Sequence, residues 1–599
     1  MNLSRREFLQ MLGVASAAGF SLTGCDSGPQ SGATAQGKPA GVKPNTAPEN
    51  LYELKPFGNV SLLHYTDCHA QLLPIYFREP NINLGVSGMK GQPPHLVGKR
   101  FLDFYGYKPD SAQAYAFSHL NFSEAAAKYG KVGGFAHLAT LVKQVRAQRP
   151  GSLLLDGGDT WGGGSATALW TDAQDMVDAQ RLLGIDVMTA HWDFTFGHKR
   201  IKEIVEKDFK DKIDFVAQNV FTKDFEERVF KPYTIKEVNG VKIGIIGQAF
   251  PYTPIANPSY LIPDWTFGIR EEEMQKTVDE VRAKGVQAVI LLSHNGMDVD
   301  LKMASRVRGI DAILGGHTHD AVPKPVEVSN PGGKTLVMNS GSNAKYLSVL
   351  DLDVKAGKVA GYQYKLLPIF SNLIEADPAM TEYIEKVRNQ NVTFQGKTFN
   401  MKEKLAEKLA KTDELLYRRG NFNGTFDQLI CDALMAVKDA QMAFSPGFRW
   451  GVSVLPGQDI TYEHVMSQTA LTYPITTRTE MTGNTIKVIL EDVADNLFNS
   501  DPYYQQGGDM VRVGGLKYEI DPTGNRGERI TYMELGGEAL DMNKTYVVAG
   551  WASVQPQAGG VPIWDVVSDY LRNKKVITKM TLNEPKLKGV AENPGYETL

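Results

Sequence analysis

The chain has 599 residues, 42% of them hydrophobic and 22% charged, with 64 Lys+Arg set against 68 Asp+Glu for a net charge of −4. That length predicts more than one domain, that composition excludes global disorder, and that charge balance removes nucleic acid as a default partner. Three cysteines, Cys25, Cys68 and Cys431, exclude a disulfide framework, and no stretch beyond the N-terminus approaches the roughly 20 apolar residues of a membrane span.

In chain order, residues 4–10 read S-R-R-E-F-L-Q, followed by an uncharged, mildly apolar stretch from Phe8 to Cys25. The pattern resembles a twin-arginine export signal, which predicts passage into the periplasm in the folded state. Leu22-Thr23-Gly24-Cys25 resembles a lipobox, with a lipid anchor at Cys25 set against ordinary cleavage nearby. The signal is expected over 1–30, and a Gly/Pro/Ser/Ala-rich tether over 31–55.

From residue 59 short apolar runs alternate with helical stretches, which is α/β layering. Five runs end in Asp or His. Val60–Tyr65 leads to Asp67-Cys68-His69, and 152–155 to Asp156-Gly157-Gly158-Asp159. Residues 186–188 lead to His191-Trp192-Asp193, 288–292 to Ser293-His294-Asn295, and 312–314 to Gly315-Gly316-His317-Thr318-His319. Ligands of open α/β sheets bind outside the carboxyl ends of the strands, so these residues should converge. One such His is usually unremarkable surface or core. Five sites in order, taking five of the eleven histidines, predict a metal centre. Mixed imidazole and carboxylate donors suit Mn, Fe, Co or Zn, and four His with two Asp and a bridging carboxylate would hold two ions.

The order D-x-H, G-G-D, a motif at 190–197, S-H-N-G and G-G-H-T-H resembles the 5′-nucleotidase branch of the dinuclear metallophosphoesterases. Gly420-Asn421-Phe422 to Ala433, Phe448-Arg449-Trp450-Gly451 and Gly507-Gly508-Asp509 extend the likeness to that branch's substrate-binding domain. The departures narrow it. Where nucleotidases carry G-N-H-E, this chain has His191-Trp192-Asp193, so a Trp stands where the transition-state His belongs. A long segment, 72–130, also follows D-x-H, with Tyr76-Phe77-Arg78-Glu79-Pro80 and Lys90-Gly91-Gln92-Pro93-Pro94-His95. Such a loop is expected to be functional, or else a stabilising excursion. Together with the twin-arginine signal these features resemble the SoxB thiosulfohydrolase family.

The resemblance implies an N-terminal four-layer sandwich of two mixed sheets flanked by helices, over 56–370. A linking segment with helix is expected at 371–410 and a C-terminal α/β substrate-binding domain at 411–599. It implies two divalent ions, most simply Mn²⁺, with Asp67, His69 and His319 on one, His191, His294 and His317 on the other, and Asp159 bridging. A metal-bound hydroxide would release sulfate from a cysteine-bound thiosulfonate on the SoxYZ carrier, leaving a persulfide. Asp159, Trp192, Asp193 and Arg449 are the candidate catalytic residues, with Arg449, Gly507, Gly508 and Asp509 binding substrate. Asn295 and Asp193 are expected to order the ligands, the protein to be monomeric, and the end of the chain beyond Pro562 to be a helix and loose tail. Two readings compete. One is a periplasmic 5′-nucleotidase or cyclic phosphodiesterase, with Tyr503 and Tyr504 stacking a base. The other is a non-catalytic, tethered carrier-binding protein.

Overall fold

The computed structural model describes residues 50–555 and 559–598. The predicted export signal, Cys25 and most of the expected tether therefore lie outside the described residues. Two six-stranded sheets form the first half. One contains β1 (Val60–Tyr65), β2 (Leu153–Asp156), β3 (Val187–Met188) and β4 (Asp214–Phe215). The other contains β5 (Tyr233–Val238), β6 (Val241–Gln248), β7 (Ala288–Ser293), β8 (Ala312–Gly315), β9 (Val326–Asn330) and β10 (Gly333–Asn339). The chain then returns to the first sheet with β11 (Tyr346–Lys355) and β12 (Lys358–Pro368).

The strand orders are β12-β11-β1-β2-β3-β4 and β9-β10-β8-β7-β6-β5. β1 to β4 run parallel, as do β6, β7, β8 and β10, while β11 and β12 at one edge and β5 and β9 at the other edges are antiparallel. Alternation along each strand explains the layers. Val60 and Leu62 of β1 share a core with Ile243 and Ile245 of β6 and Ile290 and Leu292 of β7, between the sheets. Leu63 and Tyr65 point the other way, against helices Phe135–Ala147 and Gln174–Leu183. On the second sheet Leu291 and Ile313 pack against helices Glu271–Ala283 and Met297–Arg306. Burial on both faces is why these strands read as unbroken apolar runs, and each fully buried Leu or Ile contributes roughly 1.5–3 kcal/mol. The result is the four-layer sandwich that the resemblance implies.

Beyond it come helix Pro378–Arg388 and a hairpin of Asn391–Phe394 with Lys397–Asn400. A second α/β unit follows, built on a sheet of β13 (Met442–Ser445), β14 (Thr476–Thr482), β15 (Arg512–Gly514) and β16 (Thr545–Trp551) in the order β14-β16-β13-β15. Helices Thr425–Lys438 and Gly483–Phe498 pack on it.

The 72–130 segment joins the two halves. Its helices, Gly98–Tyr105, Ala112–Phe117 and Phe122–Tyr129, gather their aromatic rings against Tyr346 and Phe370 of the first half. Its leading stretch inserts Ile82, Leu84 and Val86 into the core of the second half beside Phe422, Phe444 and Met510. The expected loose tail is instead seated on this segment. After helix Ile563–Lys574 the chain returns so that Tyr596 bridges Ile82, Asn83 N–H donates to Gly595 O at 2.8 Å and Glu597 N–H to Asn81 O at 3.0 Å. Leu84 is buried, so a strand-like stretch there would leave main-chain groups unpaired without such a partner.

His95 fastens the segment to the first half: its Nε2 lies 2.9 Å from Asp298 Oδ2 and 3.0 Å from Oδ1. Burial by itself lowers the pKa of His95, but Asp298, with Asp320 behind it, raises it above the ordinary imidazole value. The pair therefore stabilises fully at acidic pH and loses its charge–charge part as pH rises through the folded-state pKa. His95→Asn should cost about 1–3 kcal/mol near pH 6 and less near pH 9, as read from urea unfolding at the two pH values.

Candidate metal centre

Seven side chains from the ends of β1, β2, β3, β7 and β8 meet in one buried hollow. Asp159, His191, His294 and His317 form one group; Asp67, His69, Asp159 and His319 form the other. Within each group the ligand atoms lie within 4.8 Å of one another, and Asp159 belongs to both. The structure brings together the seven residues that the resemblance implies as ligands.

The backbone is bent to achieve this. Asp67, His69, Asp159, His317 and His319 have φ of 51°, 47°, 56°, 73° and 60°, left-handed values that cost non-glycine residues about 1–3 kcal/mol each. Crossed hydrogen bonds hold the turns together: Asp67 N–H donates to Gly158 O and His69 N–H to Asp159 O, both at 2.8 Å, and His317 N–H reaches both oxygens of Asp67 at 3.0 Å. Gly316 is required by space, because a Cβ there would stand 2.4 Å from Thr66 Oγ1.

The polar atoms test whether ions fit. His69 Nδ1 lies 2.8 Å from Gly162 O and His294 Nδ1 2.6 Å from Gly157 O, which assigns the proton to Nδ1 in each and turns the Nε2 lone pair into the hollow. There His294 Nε2 meets Asp159 Oδ2 at 3.1 Å, and His69 Nε2 meets His319 Nε2 at 2.9 Å. Neither ring nitrogen of His191, nor Nδ1 of His317, has a hydrogen-bond partner among the described residues. Lone pairs facing one another in a dry hollow repel unless a cation lies between them. The residues therefore fit two divalent ions, and the nitrogen–oxygen mixture fits the first-row transition metals.

Titration follows the same logic. Burial opposes charge on His294, yet Asp159 and Asp67 carry its pKa up to about 10. Burial and the neighbouring imidazoles push His317 well below the usual range. Against its own burial, Asp159 is held well below the carboxylate range by His191 and His294.

Behind the ligands, Asp193 faces the backbone. Its carboxylate accepts N–H donors from Asp159 at 2.9 Å, Thr160 at 3.1 Å, Trp161 at 2.8 Å and His191 at 3.2 Å, clamping two ligand turns together. Asp159 Oδ1 accepts the Trp192 N–H at 2.5 Å, which leaves Oδ2 for both groups. Asn295 bonds Gln248 and Asp300.

The hollow opens into a cleft of ≈ 350 Å³ whose far wall comes from the second half. Trp192 is packed edge-on to Phe448 and Trp450, at centroid distances of 5.3 and 5.2 Å, and Phe448 stacks on Trp450 at 4.0 Å. Phe250 covers His317 at 4.1 Å and His191 at 4.0 Å. Phe250 was not singled out from the sequence, although it follows the end of β6 by two residues and the strand-end rule points to it.

Arg449 lies in the wall with its guanidinium already engaged, donating to Gly508 O at 2.5 Å, His317 O at 3.4 Å and Asp509 Oδ1 at 3.4 Å. Asp509 also pairs with Arg512 at 2.9 Å. Gly507 lies directly on a ligand, since a Cβ there would stand 2.0 Å from His317 Nε2 and its φ is +65°. Gly507→Ala should therefore displace His317 and lower metal affinity by about 10–100-fold with the fold intact, measurable by metal titration and circular dichroism.

Other residues raised from the sequence lie apart. Tyr503 donates its hydroxyl to Glu271 at 2.6 Å beneath Lys302, and Tyr504 is 64% exposed; neither lines the cleft. Cys68 faces the helix-side core with Tyr65 and Phe135, where burial pushes its thiol pKa well up.

Residues 408–566 match the 5′-nucleotidase C-terminal domain family. The chain is 34% identical to the sulfate thiohydrolase SoxB of Thermus thermophilus, solved with glycerol, with a TM-score of 0.83 over 90% of this chain and 98% of that one. A 5′-nucleotidase precursor, also from Thermus thermophilus, shares the fold at 22% identity, with a TM-score of 0.69 over 89% and 99% of the two chains. Bovine 5′-nucleotidase is 26% identical over 468 residues, 70% of this chain and 76% of the bovine protein.

Proposed function

Since the chain belongs, with SoxB, to the 5′-nucleotidase branch of the metallophosphoesterases and is a hydrolase of that type, we propose that it cleaves a cysteine-bound thiosulfonate on a carrier protein of the SoxYZ kind, in the periplasm. The observation that carries this reading is Trp192, which lines the cleft beside His191 and offers no group for proton transfer to a leaving alkoxide.

In the proposed reaction the oxygen of water bonds to the sulfonate sulfur as the sulfur–sulfur bond breaks. Its electron pair leaves on the persulfide, and sulfate departs. Asp67, His69 and His319 would hold one ion, His191, His294 and His317 the other, with Asp159 between them. Bound there, two divalent ions, of which manganese is our choice, would lower the pKa of a water towards about 7 and neutralise charge gathering on the sulfonate oxygens.

The chain's own residues do the rest. A persulfide is a more acidic leaving group than an alkoxide and leaves without a proton donor, so an indole is tolerated at position 192. Trp192, Phe448 and Trp450 narrow and dry the approach, which suits a slender arm. Phe448 and Trp450 touch face to face and leave no slot between them for a nucleobase. Arg449 fixes Gly508 and the backbone of His317, and so sets the width of the cleft at the ions.

The test is sulfate release from thiosulfonate-charged SoxYZ by the Mn²⁺-loaded protein, run beside 5′-AMP hydrolysis. Sulfate with AMP untouched is expected. Phosphate from AMP and no sulfate would replace this reading with a nucleotidase. Trp192→His should not raise sulfate release; an increase would mean that a general acid had been missing.

A further inference from the structure

The turn over residues 316–319 gives one ligand to each ion group, His317 to one and His319 to the other. Its start is held from the first half, where the His317 N–H meets both oxygens of Asp67. Its carbonyls are held from the second half. Arg449 Nη1 reaches His317 O at 3.4 Å, and Arg419 Nη2 reaches Thr318 O at 3.1 Å and His319 O at 3.5 Å. Three consecutive carbonyls are thus met by two guanidiniums from outside the domain that carries the turn. Both ligands sit at left-handed φ, 73° and 60°, a conformation that persists only where surrounding contacts impose it.

Arg419 is buried, and its seat is fixed on both sides. The preceding Arg418 turns the opposite way, into the second half, donating to Asp427 Oδ1 at 2.7 Å and Gln468 O at 2.8 Å. Two residues on, the Asn421 N–H donates to Ile82 O at 3.0 Å, and Asn421 Oδ1 accepts the Leu84 N–H at 2.7 Å. Between these two bonds Asn83 Nδ2 donates to Asp320 Oδ1 at 3.2 Å, and Arg419 Nη2 lies 3.7 Å from the same oxygen. A guanidinium is planar and always charged, so it fixes direction as well as distance at the two carbonyls it serves.

We propose that Arg419 is a positioning residue for hydrolysis: from the second half it holds the turn so that His317 and His319 serve two adjacent ions at once. Pairing of the ions then depends on how the two halves are seated. An arginine that merely glued the halves together would affect unfolding alone. One that sets the turn affects the ion held by Asp67, His69 and His319 before the fold fails. The proposal rests on the two-ion reading of the hollow and needs no particular substrate.

The test loads the full chain with Mn²⁺ as wild type, Arg419→Gln and Arg419→Lys, and follows binding by calorimetry and by electron paramagnetic resonance. Arg419→Gln should keep one ion near wild-type affinity and bind the other at least tenfold more weakly. At two equivalents of Mn²⁺ it should show separate ions where wild type shows a spin-coupled pair. Arg419→Lys keeps the charge and one donor but not the fork, and should weaken the same ion about threefold. Lys302→Met, which breaks the pair with Asp501 that also joins the halves, should leave both affinities unchanged. With charged carrier, kcat of Arg419→Gln should fall at least tenfold while KM stays within twofold. Two ions at wild-type affinity with a coupled spectrum in Arg419→Gln overturn the proposal, whatever its unfolding midpoint. An equal loss in Lys302→Met, or a loss confined to KM, overturns it as well. Should Arg419→Gln not fold, an Arg419→Lys variant indistinguishable from wild type in both binding measurements overturns it. A wild type holding fewer than two ions removes the two-ion reading and the proposal with it. If wild type releases no sulfate, the thiosulfohydrolase reading has failed, and the binding measurements still decide the role of Arg419.

Discussion

Asp159→Asn is expected to give a folded protein that holds neither ion and has lost essentially all turnover. The amide oxygen can still accept the Trp192 N–H that Oδ1 accepts now, so the turn should survive. Oδ2, however, is the one atom facing His191 at 3.3 Å, His294 at 3.1 Å and His69 at 3.8 Å, and an amide there supplies no negative charge between two cations. Removal of electrostatic stabilisation at one atom commonly costs 10²–10³-fold, and loss of the bridge also removes the ions, so a fall of about 10³-fold or more is expected. Metal content by mass spectrometry and sulfate release settle the matter together. A variant that keeps two ions per chain would show that Asp159 does not join them.

Asp193→Ala should have the largest effect on stability. The carboxylate is fully buried and accepts four backbone N–H donors from the two ligand turns. Alanine leaves all four without a partner where water does not reach. At about 1–3 kcal/mol for each stranded donor, and with part of the cost relieved by relaxation of the turns, a loss of about 4–6 kcal/mol is expected. Urea unfolding measures it, and a loss below about 1 kcal/mol would mean that the turns hold themselves. Because the same turns carry Asp159 and His191, the variant should also bind metal poorly under native conditions.

The metal centre was legible because its signal is local. Each ligand follows an apolar run that is buried on both faces, and parallel strands bring such run-ends to one edge whatever the loops between them do. The C-terminal contribution was legible only as motifs. The sequence offers Arg449 as a substrate-binding residue but does not reveal that Gly508 O, His317 O and Asp509, all from other segments, surround its guanidinium. Nor could chain order tell that Cys68, between two ligands, points its thiol into the opposite core. One residue in a tight turn can reverse direction with no trace in its neighbours. Tyr503 is similar: its role depends on Glu271 and Lys302, more than two hundred residues earlier.

The seating of Asn593–Glu597 along residues 81–85 ties together parts of the chain 516 residues apart, as between Asn81 and Glu597. A polypeptide leaving the ribosome from its N-terminus would expose Ile82, Leu84 and Val86 with no core to enter until nearly all the sequence had emerged. Synthesis of the final turns would then act as a proofreading step, because a nascent chain cut short keeps a sticky apolar ribbon on its surface and is recognisable to quality control as unfinished.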